Sequence, residues 1–205
     1  MSTRLVYVHD PMCSWCWAFR PVYDQLLEQL PAGIRLQRLL GGLAPDTDEP
    51  MPQSLRDYVQ NHWRTIQSMV PGTLFNFDFW TLCQPRRATW PACRAVIAAR
   101  KQGDDYDDRM THAIQHAYYL EARNPSEHAT LIELAGESDL DVRQFASDLV
   151  DPQTSQQLET EIATTRHLGL VRFPSLALYL NDAVIPVPVN YRDCRPMLEI
   201  INGYL

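Results

Sequence analysis

Two cysteines three positions apart, in Asp10-Pro11-Met12-Cys13-Ser14-Trp15-Cys16-Trp17, carry the chemistry this chain offers most plainly. A thiolate attacks disulfide sulfur, and a second thiol one helical turn further on attacks the mixed disulfide that results. Such a pair works best at the start of a helix. There, unpaired backbone N–H groups and the positive end of the dipole favour thiolate over thiol. The flanking residues supply that start: Leu5-Val6-Tyr7-Val8 reads as a strand and Ala18 to Leu30 as an amphipathic helix, with Cys13 at its first turn. Cys13 is then the nucleophile and Cys16 the resolving thiol. Two plainer accounts of the spacing are half a zinc site and a static disulfide. Zinc needs four ligands, and no second C-x-x-C or histidine pair follows at a usable spacing. A chain in the cytosol rarely keeps a structural disulfide.

Composition sets limits around this motif. A chain of 205 residues, 45% apolar, buries roughly 70% of its unfolded surface, so its core needs no covalent staples. The net charge of −7 gives no footprint for nucleic acid or an anionic membrane, which leaves proteins and small molecules as partners. Four apolar residues after Met1-Ser2-Thr3-Arg4 make too short a run for a leader, and no apolar run reaches membrane-spanning length. A soluble, cytoplasmic protein is the expectation.

The elements that hold the motif follow in order. Ile34 to Leu40 alternates with period two and forms a second strand, so strand, helix and strand make a parallel βαβ unit. From Ala44 the chain leaves that unit through a Pro- and acid-rich loop. The spacing of Leu55, Tyr58, Val59, His62, Trp63, Ile66, Met69 and Val70 predicts one apolar helix face. A helix N-capped by Thr89 with Pro91 in its first turn runs to about Gln102, followed by helices over Tyr106–Ala122, Ala129–Leu134, Val142–Leu149 and Ser155–Leu168. A hairpin comes last, with Ser175–Leu180 and Ala183–Val189 joined by Asn181-Asp182, and then a helix from about Asp193. Pro186 and Pro188 confine the second hairpin strand to a sheet edge.

The outer portions therefore give βαβ and then ββα around an all-helical middle, the α/β layout of a thioredoxin-like fold with a large helical insertion. The parts are residues 1–45 and 169–205 for the thioredoxin-like domain and 46–168 for the insertion. The chain resembles the DsbA-like thiol-disulfide oxidoreductases, in particular their cytoplasmic FrnE-like branch of protein-disulfide isomerases. The resemblance rests on Asp10-Pro11-x-Cys13-x-Trp15-Cys16-Trp17, Gly41-Gly42-Leu43, Trp90-Pro91-Ala92-Cys93-Arg94-Ala95 and Phe173-Pro174-Ser175. It implies that Pro174 is a cis-proline facing the C-x-x-C, and that Phe173 offers backbone groups to an extended substrate strand. It implies that Trp15 faces substrate. It implies protein or peptide thiols and disulfides as substrates, glutathione or a thioredoxin system as electron donor, and no cofactor or metal.

Two departures from the family pattern matter. Ser14 and Trp15 bring no charge between the cysteines, so Cys13 relies on the helix start. That effect moves a thiol by about one unit from ~8.5, which fits a reductase or isomerase rather than a strong oxidant. The strand position where relatives hold a buried carboxylate is Tyr7, which leaves His9, Asp10 or water to take the proton of Cys16. Among the other thiols, Cys93 reads as a small hydrophobe on a helix, Cys83 and Cys93 have the option of a second redox pair, and Cys194 reads as structural. Trp17 and Phe19 are expected between sheet and insertion, and His112, His116, Tyr118 and Tyr119 share one helix.

Three functional classes stay open at this point. The first is an enzyme that reduces or isomerises protein disulfides. The second is a kappa-type glutathione-dependent isomerase or transferase, against which the thiol at Cys13 argues because that type has serine there. The third is a non-enzymatic, redox-sensing holdase or interaction module.

Overall fold

The computed structural model describes residues 3–205. A four-stranded sheet in the order β2-β1-β3-β4 lies at its centre. Strand β1 (Arg4–His9) runs parallel to β2 (Arg35–Leu40) and antiparallel to β3 (Ser175–Leu180), which pairs with β4 (Ala183–Val187). The turn residues Asn181 and Asp182 have φ of 48° and 62°, the left-handed pair that a two-residue hairpin requires. β4 ends at Val187 rather than Val189, one residue before Pro188, which has no N–H to extend the ladder.

Both faces of β1 are covered, because its residues alternate. Leu5 and Tyr7 pack with Phe19, Tyr23 and Leu26 of α1 (Ser14–Glu28) and with Met197 and Ile201 of the terminal helix Arg195–Asn202. Val6 and Val8 pack on the other face with Leu39, Leu170 and Ala177. Helix α1 begins at Ser14, four residues before the apolar periodicity makes a helix evident, so all of the motif after Cys13 is helical. Phe19 and Leu26 are 0% exposed, and each such burial stabilises by about 1.5–3 kcal/mol.

Between β2 and β3 the chain is helical: α2 (Gln53–Met69), α3 (Phe79–Leu82), α4 (Trp90–Arg100), α5 (Asp105–Leu120), α6 (His128–Glu137), α7 (Val142–Leu149) and α8 (Pro152–His167). The small residues of Pro91–Ala99 let α4 be buried on every side, the habit of a helix apolar all round. An aromatic cluster centred on Trp63 joins Phe75, Phe79, Trp80, Tyr118 and Tyr119. The face of α2 departs from expectation. Trp63 and Ile66 are buried, but Tyr58 is 59% and Met69 54% exposed; Tyr58 lines an open cavity rather than a core, and Met69 is the last residue of the helix. Glu161 of α8 ties the helices to the sheet by accepting from the Leu40 amide at 2.8 Å and from Arg100 at 2.6 Å. No helix among the described residues is long and apolar enough to cross a membrane.

Candidate active site

Cys13 is the N-cap of α1, with extended φ −83° and ψ 116°, and its amide donates to the Asp10 carbonyl at 3.0 Å. The following amides point at its sulfur. Cys13 lies 7% exposed and Cys16 0%, so the expected order holds in direction, although Cys13 shows only a sliver of surface. The two thiols diverge chemically. The Cys13 thiol is held below the ordinary range chiefly by the hydrogen bond from the Cys16 side chain, with the Cys16 and Trp15 amides adding to it. Burial pushes Cys16 well above the ordinary range, and its bond to Cys13 pushes it further. The partner thiol and the amides at the helix start thus act in the same direction on Cys13.

Opposite the motif, the Phe173–Pro174 peptide bond is cis. The Cys13 Sγ donates to the Phe173 carbonyl across 3.6 Å, which brings two residues 160 positions apart together. Pro174 is buried behind Phe173. Trp15 is half-buried and tilts against Tyr191 at 5.1 Å between ring centroids. Cys13, Trp15 and Phe173 line one cavity of about 320 Å³, walled also by Tyr58, His62 and Trp63 of α2.

Asp10 is 0% exposed. Its Oδ1 accepts from the Met12 amide at 2.8 Å, and its Oδ2 from Leu43 N at 2.7 Å, Thr89 Oγ1 at 2.6 Å and Cys93 Sγ at 3.5 Å. Burial pushes this carboxyl up, and those four donors oppose the rise. Its charge in turn raises both Cys13 and Cys16. His9 lies elsewhere. It stacks on Tyr7 at 4.9 Å, neither ring nitrogen has a partner, and burial lowers its pKa to about 4, with Arg38, Arg100, Asp107 and Asp108 as its charged surroundings. Of the two side chains considered as acceptors for the Cys16 proton, Asp10 is the one whose charge reaches that thiol.

Thr89 stands at the N-cap position of α4, but its side chain caps nothing. Its hydroxyl is spent on Asp10 and on the Ala44 amide at 3.0 Å. Cys93 is core, as expected, and also holds Asp10. Cys83 donates to the Ala122 carbonyl at 3.0 Å, so the two thiols have separate partners. Trp17 stacks on Tyr119 and bonds the Leu74 carbonyl within the insertion, whereas Phe19 packs toward the sheet with Tyr7 and Tyr191. Of the four residues on α5, Tyr118 reaches the cavity, Tyr119 is core, His116 pairs with Glu121, and His112 faces a different hollow beside Trp17. Asp10 and Thr89 together were not evident in sequence, although a Cys-proximal aspartate followed by a proline is a local signal for a turn that aims its carboxylate back at the helix start.

The family model described as thioredoxin matches residues 6–198. Among curated relatives, the ClpXP adapter protein SpxH of Halalkalibacterium halodurans is 25% identical over 179 residues, covering 85% of this chain and 58% of that protein. The SpxH of Shouchella clausii is 24% identical, covering 84% and 56%. The chain thus spans less than two thirds of the length of these relatives. Among solved structures, a candidate protein disulfide isomerase from Nitrosomonas europaea superposes with a TM-score of 0.85 at 23% identity, covering 100% of this chain and 98% of that one. The cytosolic disulfide reductase DsbM from Pseudomonas aeruginosa does so at 0.79 and 23% identity, covering 98% of each. These likenesses establish a DsbA-like version of the fold.

Proposed function

The chain belongs to the thioredoxin family, and on that premise we propose that it is a thiol-disulfide oxidoreductase that reduces or isomerises disulfides through Cys13 and Cys16. One observation carries the reading: Cys13 caps the start of α1 with Cys16 one turn behind it, and its Sγ lies 3.6 Å from the carbonyl of Phe173 beside the cis Pro174. The first step is attack of the Cys13 thiolate on a substrate disulfide, which forms a mixed disulfide and expels one thiolate. Cys16 then gives up its proton and attacks the Cys13 sulfur, forming the Cys13–Cys16 disulfide and releasing the second thiol. Loss of the Cys13 proton also frees the Phe173 carbonyl, which then has a lone pair for a substrate N–H in the manner of an added strand. Trp15 and Phe173 contact substrate in this reading, and Pro174 shapes the loop that presents them. Residues 1–45 and 169–205 act as the catalytic unit and 46–168 as the insertion that roofs it.

The reducing direction is supported by Asp10, whose charge disfavours both thiolates. Strong oxidants of this chemistry stabilise their reduced form, and Asp10 works the other way. Protein or peptide disulfides in the cytoplasm are the substrates proposed, with glutathione or a thioredoxin system returning electrons. The structure of DsbM with GSH, similar at a TM-score of 0.76 and 22% identity, is in keeping with that donor. Equilibration in glutathione buffers tests the reading. The expected potential lies in the reductase-to-isomerase span, about −270 to −180 mV, and a value near about −120 mV or no reversible disulfide overturns it.

The relatives' name as ClpXP adapters favours a second reading, an interaction module whose thiols sense redox state. A chain with both motif cysteines changed to serine separates the two: it keeps an adapter's binding and loses all disulfide turnover.

A further inference from the structure

The end of β2 and the loop after it are pinned residue by residue. The Leu40 amide donates to Glu161 Oε2 at 2.8 Å, the Gly41 amide to the His9 carbonyl at 2.8 Å and the Leu43 amide to Asp10 Oδ2 at 2.7 Å, while the Gly42 carbonyl accepts from Trp90 Nε1 at 3.2 Å. Gly42 has φ of 60°, a conformation that itself favours glycine. Gly41 is different. Its φ is not positive, so its backbone accepts any residue, and the reason for glycine there lies in space.

Phe173 fills that space. A Cβ on Gly41 would stand 2.7 Å from Cδ1 of the Phe173 ring and nearer still to Cε1 and Cζ. The bare Cα of Gly41, itself buried, is thus the seat of the ring. On the sheet side Phe173 packs against the cluster of Val6, Val8, Leu39 and Leu170. Two cavities flank it, one of about 320 Å³ that holds Cys13 and one of about 300 Å³ lined by Gly41 and Gly42. Phe173 belongs to the walls of both, so it is a partition whose place is set by what it leans on. The same residue presents the carbonyl that lies 3.6 Å from Cys13 Sγ.

We propose that Gly41 is a positioning residue for the reaction at Cys13: by seating the Phe173 ring it fixes where the Phe173 carbonyl stands beside the nucleophile, and so the register in which an extended peptide disulfide meets the sulfur. The inference rests on the oxidoreductase reading and adds to it a residue that does not itself touch substrate. Because the loop is pinned, a methyl at position 41 is accommodated by moving Phe173, and the carbonyl moves with it. Strand addition then suffers, since a peptide N–H has to meet that carbonyl while the substrate sulfur stands in line with Cys13. A disulfide without peptide groups makes no such contact.

Single turnover of the pre-reduced protein with two probes tests this. One is the disulfide-linked dimer of an acetylated, amidated tripeptide with cysteine at its centre, which offers backbone N–H groups; the other is hydroxyethyl disulfide, which has none. The readout is the ratio of the two second-order constants, taken by acid quench and mass spectrometry. In Gly41→Ala that ratio falls about tenfold, the size of one misplaced backbone hydrogen bond. A loss of stability alone slows both probes alike and leaves the ratio where it was. Phe173→Ala empties the seat and lowers the ratio roughly threefold, a part of the same bond. In Gly41→Ala, Phe173→Ala the methyl has no ring to meet, so the ratio equals that of Phe173→Ala alone and the two changes do not add. Should Gly41→Ala by itself not fold, Phe173→Ala and the double variant carry the same expectations. An unaltered ratio in Gly41→Ala, or in Phe173→Ala where only that chain folds, overturns the inference and leaves the oxidoreductase reading standing, as does a double variant whose ratio lies below that of Phe173→Ala. No oxidation of Cys13 by either disulfide in the unchanged chain overturns both.

Discussion

The Thr89 hydroxyl donates to Asp10 Oδ2 across 2.6 Å, and that bond fastens the start of α4 to the turn that carries Cys13. Thr89 Oγ1 also accepts from the Ala44 amide, and Asp10 Oδ2 accepts from the Leu43 amide. The loop leaving β2, the first turn of α4 and the cysteine motif therefore share one buried carboxylate. A charge so placed is expensive to bury, and neutral donors alone offset its desolvation. It acts on the sulfurs through space.

Replacing Asp10 by asparagine removes that charge and keeps the shape. The Cys13 thiol then titrates at lower pH, and the Cys13/Cys16 couple becomes less reducing, on the order of 30 mV for each 1.4 kcal/mol of thiolate stabilisation gained. Thiolate absorbance against pH and equilibrium with glutathione measure the two changes. An Asp10→Asn chain with native circular dichroism and an unmoved Cys13 titration removes Asp10 from the electrostatics of the site.

The hydrogen bond from Cys16 is the largest influence holding Cys13 low. Cys16→Ala deletes the donor, so the pH profile of Cys13 alkylation moves upward. Cys16→Ser supplies an O–H in its place, so its profile lies closer to that of the unchanged protein. Identical profiles for the two variants would mean that the helix start alone sets the acidity of Cys13.

Much of this arrangement is legible in the sequence, and what is not has a common cause. The strands, the Asn181-Asp182 turn and the helix that follows Cys13 are written in local periodicity and turn chemistry, which act over a few residues. Thr89 carries the local signature of a cap, yet its hydroxyl serves Asp10, 79 positions away. Tyr58 belongs to the apolar face of α2 by spacing and is 59% exposed, because the fold leaves a cavity there. Trp63 and Phe173 share no local pattern. They line one cavity beside Cys13 only because the insertion folds back over the sheet, and no spacing rule reaches that far.

His9 provides a pH test of the buried motif. Its pKa is lowered to about 4 from an ordinary 6.5, and it is 1% exposed. Between those values the unfolded chain takes up a proton that the folded chain refuses, so this group's contribution is complete above about pH 6.5 and is lost as pH falls toward 4. At ~1.36 kcal/mol per unit the gap amounts to about 3 kcal/mol. His9→Phe retains the stack on Tyr7 and removes the titration. Urea unfolding at pH 7.5 and at pH 4.5 should therefore show a smaller loss of stability in the variant. Equal losses in both chains would contradict the buried, partnerless state of this ring.

Trapping of the mixed disulfide bears most directly on Cys13 as nucleophile. A Cys16→Ser chain keeps the attacking thiol and lacks the resolving one, so incubation with a peptide disulfide should accumulate a covalent adduct. Peptide mapping by mass spectrometry then locates it. The expected result is a single adduct on Cys13 that a dithiol reverses, absent from the Cys13→Ser chain. An adduct on Cys83, Cys93 or Cys194 with Cys13 left free would contradict the assignment of Cys13, and with it the mechanism built on the start of α1.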